Sequence, residues 1–291
     1  MTEAGDEEGQ AVLAEAVAAY QKALGERLLA AYALGSLAHG GFSPLVSDVD
    51  LAVIVDDPPL PSDPDTIGAV AEEVKGGGTA LHQRLSVFWG TPATLRGERE
   101  GGRFPPLDRL DLLEHGRLLA GQESRAGLSP PGATELMVGG AEFALEFLAG
   151  ITAHPPASSG GGLGSIRPGD DAIEEVRRPE MLVSRGVRRM TKLVLFPVRF
   201  LFTARTGHLG TNHTAATAYI AAQPAPGAPL VAAALGWRSA PPDEESALAL
   251  LRTEMVPLYL HYLDDHTERL TALGCDDLAE GFREWRRRIL R

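Results

Sequence analysis

Residues 34 to 55 carry the side chains best suited to chemistry. Leu34-Gly35-Ser36 closes one apolar run, and after eleven intervening residues Asp48-Val49-Asp50 opens the next, Leu51-Ala52-Val53-Ile54-Val55. Side chains at i and i+2 of a strand leave the same face, so Asp48 and Asp50 present two carboxylates side by side. Such a pair suits a hard cation such as Mg²⁺, which takes oxygen ligands and leaves positions open for phosphates. Gly35 lets the backbone approach a phosphate closely, and Ser36 can donate both hydroxyl and amide to it. Together these residues read as a holder for a metal-bound triphosphate. An ordinary turn at Gly35-Ser36 with a strand-start cap at Ser47-Asp48 is the alternative, and the joint spacing argues against it.

Elements must exist on either side to position these groups. Residues 11–25 read as a helix stopped at Gly25, after an acidic start at 1–10 expected to be disordered. Arg27 to Leu34 reads as the strand that delivers Gly35-Ser36, and 51–55 as a buried strand. A helix near 64–75 is broken by Gly76-Gly77-Gly78, and Leu81 to Trp89 reads as a third strand, antiparallel to its neighbour. A short helix at 108–115 leads to a small edge strand over 116–121. Helical periodicity returns at 134–152, a Gly/Pro-rich loop follows at 154–170, and from Glu174 onward the pattern is almost wholly helical. The expected architecture is α+β: a catalytic domain with a mixed sheet over 11–130, then a helical domain over 131–291.

Composition narrows the partners. The chain has 291 residues, 44% hydrophobic and 23% charged, with a formal charge of −12. That excess of acid argues against a nucleic-acid partner, which calls for a basic footprint, and favours small molecules, cationic ones included. The best apolar window, Leu193 to Phe202, contains Pro197 and Arg199, so no membrane span is expected. The acidic start lacks the regions of a signal peptide, and the single cysteine, Cys275, allows no internal disulfide. A cytoplasmic location is the expectation.

The apolar-Gly-Ser, gap, Asp-apolar-Asp-apolar pattern resembles the signature of the DNA polymerase β-like nucleotidyltransferase superfamily. Within it, Arg199-Phe200-Leu201-Phe202-Thr203-Ala204-Arg205-Thr206-Gly207 is similar to a helix segment of the aminoglycoside adenylyltransferases that modify streptomycin and spectinomycin. Gly116 to Gly121 with Pro130-Pro131 resembles their connector between domains. The resemblance implies a nucleotidyltransferase domain that holds Mg²⁺, one ion or two, and ATP or another NTP. It also implies a helical domain closing the cleft and a small-molecule hydroxyl attacking the α-phosphorus. Asp48 and Asp50 would then ligate metal and carry catalysis. Gly35 and Ser36 would bind phosphate, and Arg199 would be a cation from the helical domain unless it bridges helices there. Two positions depart from that pattern. Ser86 stands where the family places a third carboxylate, and a neutral hydroxyl neither ligates metal as strongly nor accepts a proton at neutral pH. Asn212 stands where the family carries a phosphate-binding lysine; Lys192, seven residues before Arg199, is the substitute that spacing suggests.

Other features have plainer readings. His39 lies in the loop between the two halves of the motif and reads as a loop histidine that could line a nucleotide. His261, Asp264, Asp265 and His266 form a cluster best read as a solvated helix face, and Trp89, Trp237 and Trp285 read as core. Two functions follow. One is an NMP transfer, AMP from ATP, to a hydroxyl of a small molecule, with an aminoglycoside-like acceptor in scope. The other is a catalytically impaired nucleotide- or metabolite-binding protein on the same fold, with Glu135 or Glu142 as carboxylates that could restore catalysis.

Overall fold

The computed structural model describes residues 3–151 and 172–291. The Gly/Pro-rich stretch expected at 154–170 lies outside the described residues. Described residues up to Pro131 form one compact unit and those from Gly132 a second.

In the first unit, helix α1 (Glu3–Leu24) carries Val12, Leu13, Ala16, Val17, Tyr20 and Leu24 at three- and four-residue intervals and buries that stripe. The acidic start expected to be disordered is helical from residue 3. A Cβ on Gly9 would come 2.9 Å from the Phe42 ring, so this turn is packed closely. Gly25 turns the chain at φ 56° into strand β1 (Leu28–Leu34). A four-residue turn α2 (Ser36–His39) and a short loop lead to β2 (Val49–Val55), helix α3 (Asp63–Lys75) and β3 (Leu85–Gly90). The turn α4 (Pro92–Leu95), helix α5 (Pro106–His115) and β4 (Arg117–Gly121) complete the unit.

The sheet order is β3-β2-β1-β4. β1 is antiparallel to β2 and β4, and β2 is parallel to β3. The expected antiparallel pairing of β3 is therefore corrected. A parallel neighbour needs a long crossover, and the chain from Asp56 to Arg84, with α3 in it, supplies one. α1 and α3 cover one sheet face through Ala31, Ala33, Leu51, Val53 and Val55. The other face, Ala30, Tyr32, Leu34, Ala52, Ile54 and Phe88, packs against Leu95 and Leu112. Residues 48, 50, 52 and 54 share parity, so Asp48 and Asp50 belong to this second face, the one α5 covers.

The second unit is helical: α6 (Ala133–Phe143), running into a π-turn at Ala144–Leu148, then α7 (Ala172–Arg177), α8 (Pro179–Ser184) and α9 (Val187–Thr206). α10 (Asn212–Ala221), α11 (Ala228–Trp237), α12 (Glu244–Ala272) and α13 (Asp276–Leu290) follow. Its centre is aromatic. Tyr259, Tyr262, Phe282 and Trp285 are fully buried, and the Tyr259 hydroxyl donates to the Leu193 carbonyl of α9 at 3.0 Å. His266, 2% exposed, stacks on Phe282 with ring centroids 5.6 Å apart. All three tryptophans are buried, as their spacing along the chain suggested. Among the described residues no helix is long and apolar enough to cross a membrane.

Two outcomes test this packing. Leu112→Ala removes a fully buried side chain that fastens α5 to the sheet and should cost about 2–5 kcal/mol in urea unfolding. Burial pushes the His266 imidazole below its ordinary pKa, against the opposing pull of Asp265, 3.5 Å from Nδ1. The unfolded chain, titrating at about 6.5, gains this proton at higher pH than the native one, so stability drops as pH falls through that range. His266→Phe should flatten the decline measured between pH 7.5 and 5.5; an unchanged slope would assign it to other groups.

Candidate active site

Gly35 is where β1 stops being a strand. Its φ of 60° and ψ of −150° lie in a region that only glycine enters freely. A Cβ there would also collide with Oδ2 of Asp50, which the Leu34↔Asp50 register places beside it. The missing side chain thus lets the Asp50 carboxylate sit against the chain at the β1 terminus. Ser36 follows as the first residue of α2, and the amides of Ala38 and His39 bond back to the Gly35 carbonyl at 3.0 Å each. Leu37 points into the core under α1 and fixes the turn.

The loop back to β2 is closed on itself. Ser43 N donates to Ser47 Oγ at 3.0 Å and Ser47 N donates to the Ser43 carbonyl at 2.8 Å, while Phe42 and Val46 are buried. Asp48 emerges from it one residue ahead of β2, and Asp50 is the second residue of that strand; both are half-buried. Asp50 is register partner to Ser86 in the parallel β2–β3 pair, and Ser86 is 7% exposed. The position beside Asp50 that would carry a third carboxylate is therefore a buried hydroxyl. Glu72 and Glu73 lie exposed on α3, which covers the opposite face.

Two charged residues that the motif did not predict stand at this site. Asp111 of α5, 7% exposed, accepts a hydrogen bond from the Gly35 amide at 2.6 Å. Arg103 donates from Nη1 to the Val87 carbonyl, and its guanidinium lies 4.9 Å from the Phe88 ring centroid. Burial lowers the Arg103 pKa, while the charges of Asp108 and Asp50 oppose that shift. A cation thus stands within electrostatic range of Asp50. At the far end of α2 the His39 ring meets His115 of α5 edge-on, with centroids 5.4 Å apart. Asp111 was visible in the sequence as a charge set between Leu110 and Leu112 on a helix; Arg103, in a Gly- and Pro-rich stretch, carried no such signal.

Among the described residues no group of three His, Cys, Asp or Glu side chains is disposed to hold a metal ion by itself. Asp48 and Asp50 supply two hard oxygen donors, which fits Mg²⁺ held jointly with substrate phosphates and water rather than an all-protein cage.

The helical unit carries the other expected residues. Lys192 and Arg199 lie half-buried on α9, seven residues apart. Arg199 donates from Nε to the Gly210 carbonyl at 2.7 Å, so it does tie the chain beyond α9 to that helix. Asn212 opens α10, behind the N-cap Thr211. Near Arg199 stands a further arginine that the pattern did not single out: burial, with the Arg199 charge second, lowers the Arg238 pKa to about 10. The cluster on α12 is not a metal centre. Asp265 pairs with Arg205 at 3.2 Å and Arg269 at 2.8 Å, and Asp264 with Arg286 at 2.7 Å.

The mixed four-stranded sheet with flanking helices, followed by a helical unit, is the nucleotidyltransferase fold. Spectinomycin adenyltransferase AAD(9) from Enterococcus faecialis, solved with ATP and spectinomycin, shares it: the TM-score is 0.50, with 84% of this chain and 98% of that chain covered at 13% identity. At that identity the likeness is one of fold. No family model and no curated protein matches the chain.

The close approach of Asp50 to Gly35 has a measurable consequence. Gly35→Ala combines positive-φ strain with a collision, whereas Gly40→Ala at φ 91° meets no atom within 4 Å. Gly35→Ala should lose about 1–3 kcal/mol more in chemical denaturation, the range of overpacking. Equal losses would mean that Asp50 does not press on this glycine.

Proposed function

We propose that this chain is a Mg²⁺-dependent nucleotidyltransferase that moves a nucleoside monophosphate, AMP from ATP, onto a hydroxyl of a small molecule. The observation that carries this reading is the Gly35-Ser36 turn at the end of β1 with the Asp50 carboxylate lodged against it, on a nucleotidyltransferase fold. The fold neighbour's ATP and spectinomycin suit the same reading, with a hydroxylated and cationic acceptor.

Each residue then has a task. Asp48 and Asp50 would hold Mg²⁺, Gly35 would give the phosphates room, and Ser36 would donate to their oxygens. Bound there, the ion offsets charge on the α-phosphate and on the departing pyrophosphate. The acceptor oxygen forms a bond to the α-phosphorus, the bond to the bridging oxygen breaks, and the hydroxyl proton leaves with solvent. Ser86 gives no general base in the register beside Asp50, so turnover is expected to be slow. The resemblance to the adenylyltransferases makes Arg199 and Lys192 of α9 the candidate nucleotide-binding cations of the helical unit.

The second reading is a nucleotide-binding protein on this fold with impaired transfer, and the buried Ser86 at the third carboxylate's position favours it. Both readings require a live nucleotide site. Calorimetry with non-hydrolysable ATP and GTP analogues should show Mg²⁺-dependent binding that Asp48→Asn with Asp50→Asn weakens at least tenfold, about 1.4 kcal/mol. No binding under any metal condition would sink both. Binding without AMP transfer to any of a panel of cationic hydroxylated acceptors would leave the second.

A further inference from the structure

Asp111 holds a position that the transferase chemistry does not call for. Its carboxylate oxygen is 2.6 Å from the Gly35 amide nitrogen, the length of a charge-assisted bond. That amide belongs to the motif glycine whose bare backbone a phosphate would approach. The group making the bond is anchored: Leu110 and Leu112, on either side of it in α5, are buried, and Leu112 packs on the sheet face that carries Asp50. Gly35 is therefore held between two carboxylates, Asp50 against its α-carbon and Asp111 on its nitrogen. An amide that takes a carboxylate oxygen takes a phosphate oxygen by the same geometry and the same charge preference.

We propose that Asp111 is a built-in competitor for the phosphate subsite at Gly35: its carboxylate occupies the amide that a nucleotide phosphate takes, and so sets nucleotide affinity. This rests on the nucleotide reading above and adds to it the residue that restrains binding. Entry of a polyphosphate requires the Asp111 side chain to give up the Gly35 amide, and two negative charges beside that amide oppose the incoming anion. A cation at Asp48 and Asp50 offsets that opposition, so Asp111 also makes binding lean on Mg²⁺.

The test uses tripolyphosphate and ATP on the full chain, without metal and with Mg²⁺, by calorimetry. The proteins are the native chain, Asp111→Asn, which keeps an acceptor but drops the charge, and Asp111→Ala, which vacates the amide. The expected result is metal-free tripolyphosphate affinity rising from native to Asn to Ala, at least tenfold across the series. The ratio of ATP affinity with Mg²⁺ to that without it should shrink in the same order. The ¹⁵N-labelled Gly35 amide resonance should move on adding tripolyphosphate to Asp111→Ala at concentrations that leave the native resonance in place. Unchanged or weaker binding in variants that melt cooperatively would overturn the proposal and make Asp111 a support for the turn. If Asp111→Ala does not fold, Asp111→Asn decides alone, and no gain there counts against it. ATP binding abolished by the Asp48 and Asp50 changes but indifferent to Asp111 would sink this inference and keep the nucleotide site. Tripolyphosphate that tightens in Asp111→Ala while ATP never binds would keep the competitor and sink the transferase.

Discussion

The site depends on one steric allowance, the absence of a side chain at Gly35. β1 and β2 are antiparallel neighbours, and their register brings Asp50 level with the last residue of β1. With any Cβ at the next position, the Asp50 carboxylate would be pushed off the strand end. The same glycine reverses the chain into α2 through a backbone conformation closed to other residues. The turn and the carboxylate placement are thus consequences of a single residue type, which is why Gly35 and Asp50 are informative only as a pair.

Around that pair the balance of charge differs from a site built for two resident metals. The lateral neighbour of Asp50 is a buried hydroxyl, and a guanidinium, Arg103, stands within range of the carboxylate. Losing one carboxylate and gaining one cation change the local charge in the same direction. Asp111 works the other way by placing a second acid on Gly35. Among the described residues no group of three His, Cys, Asp or Glu side chains gathers there to hold an ion by itself.

Much of the fold was legible because its signals are local and redundant. β1, β2, α3 and α5 lie within a few residues of where apolar runs punctuated by glycine and proline put them. The direction of β3 was not, since alternation along a strand fixes which face is buried and says nothing about the neighbour's polarity. The helical start at residue 3 escaped notice because acidic residues are equally at home in a disordered tail and in a first helical turn. Gly35, Ser36, Asp48 and Asp50 are conspicuous from spacing because they lie at or next to the paired ends of β1 and β2, where Leu34 is register partner to Asp50. Asp111 and Arg103 reach the same place from a helix and a loop more than fifty residues on, and such contacts have no periodic signature.

The net charge of −12 sharpens what the cations are for. A surface this acidic repels polyphosphates at long range, and at physiological salt that repulsion is screened within about 8 Å. A polyanion bound by such a chain would have to be held by cations close to it, not steered by a field from afar. Burial lowers the Arg103 pKa, and the charges of Asp108 and Asp50 oppose that shift. In a low-dielectric setting a fixed guanidinium interacts more strongly with a phosphate than an exposed lysine does, and its planar fork loses less freedom on binding. With Ser86 beside Asp50 and Arg103 within electrostatic range of that carboxylate, charge on this sheet face is rearranged and not merely reduced.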